Sequence, residues 1–231
     1  MSTAPLARAA LIIPALNEEA SIGQVLAEIP VGLYLQILVA DNGSTDATAA
    51  VARAHGATVV HEARRGYGSA CLRAIGSLDK TADVVVFMDA DSSDVPVEAA
   101  SLLRPIVEDR ADLVIGSRAL GASVPGSLAL HQRFGNWLAT ALIRIFYRHR
   151  YTDLGPFRAI RASSLRQLDM RDRDYGWTIE MQIKAIRKGL RVVEVPVSYR
   201  KRIGESKISG SFGASLAAGA KILWKVFRLV F

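Results

Sequence analysis

Val84-Val85-Val86-Phe87-Met88-Asp89-Ala90-Asp91-Ser92-Ser93-Asp94 is the stretch that decides the fold. Its first four residues form a short apolar run of β type, the pattern of a strand covered on both faces in a parallel sheet. In extended chain, residues i and i+2 point to the same side, so Asp89 and Asp91 can converge on one point. Two carboxylates at the carboxyl end of a buried strand repel each other unless a cation lies between them. Hard oxygen ligands suit Mg²⁺ or Mn²⁺, and Mg²⁺ commonly completes its shell with water and substrate phosphates. The same residues also fit a solvated acidic turn in which Ser92 to Asp94 cap a helix.

The surrounding chain alternates strand and helix patterns. Upstream, strands are predicted at Ala9–Ile13, Leu35–Ala40 and Ala57–His61, with helices over Ser21–Ile29, up to Ala54, and around Ser69–Ser77. Downstream, helices are predicted over Pro96–Asp109, His131–Arg150 and Tyr175–Lys188, and strands at Asp112–Gly116, Arg158–Ile160 and Arg191–Val197. This order predicts an α/β domain with a mostly parallel sheet and right-handed crossovers. Ligands of such sheets bind at the carboxyl ends of the strands, where Glu18, Asp41, Asp89 and Asp91 all fall. A dinucleotide site would need Gly-x-Gly-x-x-Gly after the first strand, and that turn, Pro14-Ala15-Leu16-Asn17-Glu18-Glu19, has no glycine. Gly66-x-Gly68 comes later and lacks the third glycine, so it reads as a flexible basic turn.

The 231 residues fit one large domain, or one with an appendage. The net charge of +7 points to an anionic partner, a phosphorylated substrate or a membrane surface. Few aromatics and no lysine-rich tail argue against nucleic acid. Cys71 is the single cysteine, so no internal disulfide forms, which suits a cytoplasmic protein. Ala9–Leu16 lacks the features of a signal peptide, and no apolar run approaches the ~20 residues of a membrane span. The chain is therefore expected not to be an integral membrane protein.

Taken together, Ile12–Glu19 (IIPALNEE), Asp41–Asp46 (DNGSTD), Arg64–Ala70 (RRGYGSA), Met88–Asp91 (MDAD), Gly116–Arg118 (GSR), Thr152–Arg161 (TDLGPFRAIR) and Gly204–Gly210 (GESKISG) resemble a family 2 glycosyltransferase of the nucleotide-diphospho-sugar transferase (GT-A) fold. The resemblance spans nearly the whole chain, and within the family it is nearest to dolichyl- or polyprenyl-phosphate sugar synthases. It implies that Pro14, Glu18 and Asp41 line the nucleotide site of a GDP- or UDP-linked sugar donor. By the same likeness, Asp89 and Asp91 hold the metal at the donor's two phosphates. Arg118 and Arg133 match positions that meet the acceptor phosphate, and Arg202 and Lys207 match the mobile exit loop that neutralises phosphate. Asp41-Asn42 stands where the family usually has paired aspartates, and Ser93 replaces a side chain that can join the metal shell. The Gln-x-x-Arg-Trp motif of polymerising relatives is absent, which favours transfer of a single sugar.

A phosphate acceptor is a nucleophile at neutral pH, whereas a hydroxyl acceptor needs a carboxylate within reach. Glu180 and Asp153 are the candidates for that base, and equally fit an exposed helix position and a loop anchor. Transfer to a hydroxyl acceptor such as a glycerol-based lipid or small metabolite, nucleotidyl transfer onto sugar phosphates, and a non-catalytic nucleotide-sugar binder are the competing readings. Residues 1–210 are expected to form the catalytic domain. Residues 211–231, with Lys221, Lys225 and Arg228 on one helical face, are expected to form an amphipathic helix that packs on the domain or lies on an anionic bilayer at the cytoplasmic face.

Overall fold

The structure, a computed structural model, describes residues 8–204. Strands β1 (Ala9–Ala15), β2 (Gln36–Asp41), β3 (Thr58–His61) and β4 (Val84–Phe87) alternate with helices α1 (Ile22–Ala27), α2 (Thr48–Ala54) and α3 (Tyr67–Ile75). A short 3₁₀ turn, Pro96–Glu98, then leads into α4 (Ala99–Val107) and β5 (Leu113–Ser117). The remaining elements are α5 (Leu130–Tyr147), β6 (Arg158–Arg161), α6 (Ala162–Leu168), α7 (Trp177–Arg187) and β7 (Val192–Pro196).

The strands form one seven-stranded sheet in the order β3-β2-β1-β4-β6-β5-β7. Strand pairs are parallel throughout except at β6, which is antiparallel to both β4 and β5. Side-chain alternation divides the core between the two faces. Val84 and Val86 pack with α1, α2 and α4, while Val85 and Phe87 pack with α3, α5, α6 and α7. Burial on both faces is why β1 and β4 read as unbroken apolar runs.

Two features depart from the expected α/β pattern. The antiparallel direction of β6 follows from its entry point. Thr152 to Leu154 is held at the carboxyl edge of the sheet by Glu194 of β7, Asn136 of α5 and Gln182 of α7. The chain therefore starts β6 at that edge and runs away from it, with Arg158 opposite Phe87 and Ile115. Helix α6 follows β6 without a linker and is not announced by any cap in the sequence. Lys207 and the C-terminal segment 211–231, with its expected amphipathic helix, lie outside the described residues.

Candidate active site

The loops after β1, β2 and β4 meet at one edge. The loop after β1 is tied to the loop after β2: Asn17 N–H donates to Ser44 Oγ (2.9 Å), Glu18 N–H to Thr48 Oγ1 (2.7 Å), and Thr45 N–H to Asn17 Oδ1 (2.8 Å). A cleft of about 400 Å³ opens there, lined among others by Pro14, Glu18, Asn42, Asp89, Asp91 and Arg202. Five residues that the sequence assigned to nucleotide, metal and phosphate thus line one cavity. Arg65, Tyr67, Asp174 and Tyr175 also line it, and sequence reasoning gave none of them a role.

Asp41 is buried and set slightly apart from this lining. Its Oδ1 accepts the Ser44 N–H (3.0 Å), and its Oδ2 pairs with His61 Nδ1 (3.2 Å). Burial opposes its charge, but the Ser44 and His61 contacts outweigh burial and hold its pKa below the ordinary carboxylate value. The sequence gave His61 no role. The neighbouring Asn42, where a second aspartate was the family expectation, is used up as a brace. Its amide donates to the Glu62 and Arg64 carbonyls (3.1 and 2.7 Å) and accepts the Gly66 N–H (2.8 Å). An amide can do both jobs; a carboxylate could only accept.

Asp89 and Asp91 follow β4 on the cleft side. Tyr67 OH donates to Asp89 Oδ1 (3.1 Å), and the Asp89 N–H is held by Asp94 Oδ2 (3.1 Å). Burial, and then the charge of Asp91, push the Asp89 carboxyl up to about 7. Asp94 is buried too, and burial followed by Asp89 raises it well above the usual range, with Oδ1 lacking a partner among the described residues. The Asp91 Oδ1 accepts both the N–H and the hydroxyl of Ser93, so Ser93 orients that carboxylate. Arg202 bridges the cleft, its Nη1 3.3 Å from Asp91 Oδ2 and its Nη2 3.3 Å from Glu18 Oε1.

These residues fit a divalent cation shared with a ligand. No three His, Cys, Asp or Glu side chains among the described residues are grouped to hold a metal by themselves. Two crowded carboxylates, one of them raised by burial and then by the other's charge, with a guanidinium drawn to the pair, suit a divalent cation whose remaining ligands come from elsewhere.

The glycines of the basic turn Arg64–Gly68 are accounted for by packing. A side chain at Gly66 or Gly68 would lie 2.1 Å from the carbonyl oxygen of Arg173 or Asp172, respectively. Ser69 N–H and Oγ both donate to the Arg173 carbonyl (2.9 and 3.1 Å). The glycines therefore admit the 172–174 segment over the start of α3. Glu180 holds that segment from below. It is 2 % exposed, accepts the N–H groups of Arg171 and Asp172, and pairs with Lys184 (2.8 Å).

A second cavity, about 460 Å³, is lined by Arg118, Arg133, Gln132, Asn136, Asp153 and the loop Ser123–Leu128. The structure thus brings Arg118 and Arg133 to one cavity. Asp153 grips Arg118 through two contacts of 2.8 Å each and also accepts the Arg118 N–H (2.8 Å). Burial disfavours the guanidinium's charge, but Asp153 overcomes it and keeps the pKa above its usual value. Tyr199 stacks on the same guanidinium at 4.9 Å. Neither proposed base is disengaged: Asp153 is committed to Arg118, and Glu180 to the loop over α3. Arg158, in the same segment as Asp153, is fully buried and donates to the Thr178 and Leu154 carbonyls, so it supports the site from beneath.

Comparison with known proteins bears on the family and the fold. Residues 10–169 match the family model described as Glycosyl transferase family 2. An uncharacterized glycosyltransferase of Mycobacterium tuberculosis is 41 % identical over 219 residues, covering 94 % of this chain and 96 % of the relative. An undecaprenyl-phosphate mannosyltransferase of Micrococcus luteus is 33 % identical over 216 residues, covering 88 % of each. Among solved structures, glucosyl-3-phosphoglycerate synthase of Mycobacterium tuberculosis in complex with Mn²⁺, UDP and glucosyl-3-phosphoglycerate superposes with a TM-score of 0.79 at 23 % identity, covering 97 % of this chain and 80 % of that one. At that identity the likeness bears on the fold, which is of the GT-A type.

Proposed function

The chain belongs to glycosyl transferase family 2, and on that premise we propose that it moves one sugar, with inversion, from a UDP- or GDP-linked donor to the phosphate of a polyprenyl-type lipid. The observation that carries the acceptor choice is the second cavity. Arg118 and Arg133 line it, and the carboxylate among its described lining residues, Asp153, is bound to Arg118. A hydroxyl acceptor needs a carboxylate to take its proton; a phosphate needs cations to hold it and no strong base. The relative from Micrococcus luteus, named for undecaprenyl phosphate, supports the same choice.

In this reading Pro14, Glu18 and Asp41 shape the nucleotide end of the first cleft. Asp89 and Asp91 hold Mg²⁺ or Mn²⁺, which when bound neutralises charge on the departing diphosphate. Arg202 leaves its contacts with Glu18 and Asp91 to meet donor phosphate, and Lys207, five residues further along the sequence, assists it. Arg118, pinned by Asp153, and Arg133 orient the acceptor phosphate toward the sugar. Cations fixed in place before the reaction stabilise charge as it develops without reorganisation at that moment. Asp153 and Glu180 act by positioning: one holds Arg118, the other holds the loop that carries Asp174 and Tyr175 into the cleft.

Residues 1–210 form the catalytic domain in this account, and 211–231 an appendage at the membrane. The lipid acceptor places the protein peripherally, at the cytoplasmic face. No helix among the described residues is long and apolar enough to cross a membrane. The test is a panel of labelled UDP- and GDP-sugars with Mn²⁺ and either polyprenyl phosphate or hydroxyl acceptors. Label in the organic phase supports the proposal; label on a hydroxyl acceptor alone rejects it.

A further inference from the structure

Among the described residues, helix α5 buries one side and exposes the opposite side. Ala139 and Ile143 are buried in the core, and Asn136 is hydrogen-bonded to the 152–154 backbone. By contrast Phe134, Trp137 and Ile145 are 61 %, 61 % and 67 % exposed. With Ala141 between them they are spaced three and four apart, so they share one face. At about 100° per residue, that face is opposite Ile143. Phe146 is exposed about a quarter turn further round, and the Phe134 and Trp137 rings lie 5.8 Å apart. Exposed Arg133 and Arg144 follow one edge of the stripe, eleven residues apart, and exposed Arg148 caps the end of the helix. From Leu113 to Thr152 the sequence has five arginines and no Asp or Glu.

A continuous aromatic and aliphatic stripe of this kind marks a contact surface. Its composition, apolar centre with a basic edge and no acid, matches an anionic bilayer surface. Its position argues the same way. The first turns of α5 supply Gln132, Arg133 and Asn136 to the second cavity, and exposed Val124 stands on the cavity's other lip. An antiparallel two-fold contact between copies would instead set the arginine edges near each other with no acid on this stretch to offset them.

We propose that α5 is a membrane-docking surface. It lies in the plane of an anionic bilayer with Phe134, Trp137 and Ile145 at the acyl boundary and its arginines among the headgroups, so that the second cavity opens at the lipid surface. The link to the cavity rests on the lipid-phosphate reading; the docking itself does not.

The full chain carrying Trp137→Glu and Ile145→Glu tests this. Both sites are exposed, so the fold should survive, which a thermal melt checks. Wild type should sediment with phosphatidylcholine vesicles containing phosphatidylglycerol, less so at high salt, and the double variant should lose about tenfold or more in partitioning. Arg144→Glu with Arg148→Glu should lose binding to the anionic vesicles alone. Equal binding by wild type and the Trp137/Ile145 variant would overturn the proposal and move the contact elsewhere, for instance to residues 205–231. No binding by wild type would overturn it as well. A dimer-to-monomer shift in the variant with unchanged vesicle binding would assign the face to a second copy. Transfer to a detergent-soluble short-chain polyprenyl phosphate separates the two readings. Lost vesicle binding with retained short-chain transfer supports docking, whereas no wild-type transfer to any prenyl phosphate rejects the acceptor and leaves the vesicle result to decide the surface.

Discussion

At Asp91 both carboxylate oxygens are engaged, one by Ser93 and one by Arg202. An amide in its place keeps the acceptor for Ser93 and removes the charge. Asp91→Asn should therefore fold normally and lose at least about a hundredfold in kcat, the scale of losing one electrostatic stabiliser. Steady-state transfer with Mn²⁺ and a thermal melt check it, and full turnover of wild type in EDTA would contradict a metal role. Asp89 gives a pH signature. Its folded pKa, raised to about 7 by burial and Asp91, lies above the unfolded value of about 3.9. The metal-free folded state thus holds a proton the unfolded state gives up, and that contribution to stability is present below about pH 4 and lost as pH rises through about 7. Metal-free Asp89→Asn cannot take on charge. It should melt above wild type at about pH 8, with the gap closing toward about pH 5. A gap that widens on acidification would show that the Asp89 environment has been misread.

The loop over α3 shows how one element positions the site. Gly68 has an Asp172 carbonyl 2.1 Å from where a Cβ would sit. Gly68→Ala must push that backbone away, costing about 1–3 kcal/mol by overpacking. Because Asp174 and Tyr175 line the cleft from the same segment, donor KM should rise as the melting temperature falls. Lower stability with unchanged donor KM would detach the loop from the donor. The exit from β7 offers a second element test. Arg202→Gln should raise donor KM and lower kcat together, as expected of a group that both binds and closes over the site; unchanged kinetics would make the exit a surface turn. The Gly66-x-Gly68 pair read from sequence as a flexible turn because its cause is remote: Ser69 and Arg173, the contact it serves, are 104 residues apart. Local pattern carries no trace of such a partner.

On the scale of the whole molecule, the strands were legible because burial on both faces writes apolar runs, and the acidic ends of β1, β2 and β4 marked the ligand edge before any coordinates. The reversal of β6 was not legible, since it depends on Glu194, Asn136 and Gln182 holding Thr152 to Leu154 at that edge. The candidate site divides along the same line. Pro14, Glu18, Asp89, Asp91, Arg118 and Arg202 stand at or just beyond strand ends, Arg133 lies in α5 and was singled out only by family likeness, and the structure draws the seven into two cavities. Asp153 and Glu180 were identifiable as special carboxylates, but their partners Arg118 and the Arg171–Asp172 backbone become visible only in three dimensions. That distinction is why we propose positioning roles for the two candidate bases and an acceptor that brings its own negative charge. Arg133→Ala tests this most directly, measured as transfer of labelled sugar to polyprenyl phosphate beside slow donor hydrolysis in the same enzyme. The account predicts that transfer falls about tenfold or more while hydrolysis stays at the wild-type rate. Equal loss of both reactions, or transfer that survives intact, would contradict it.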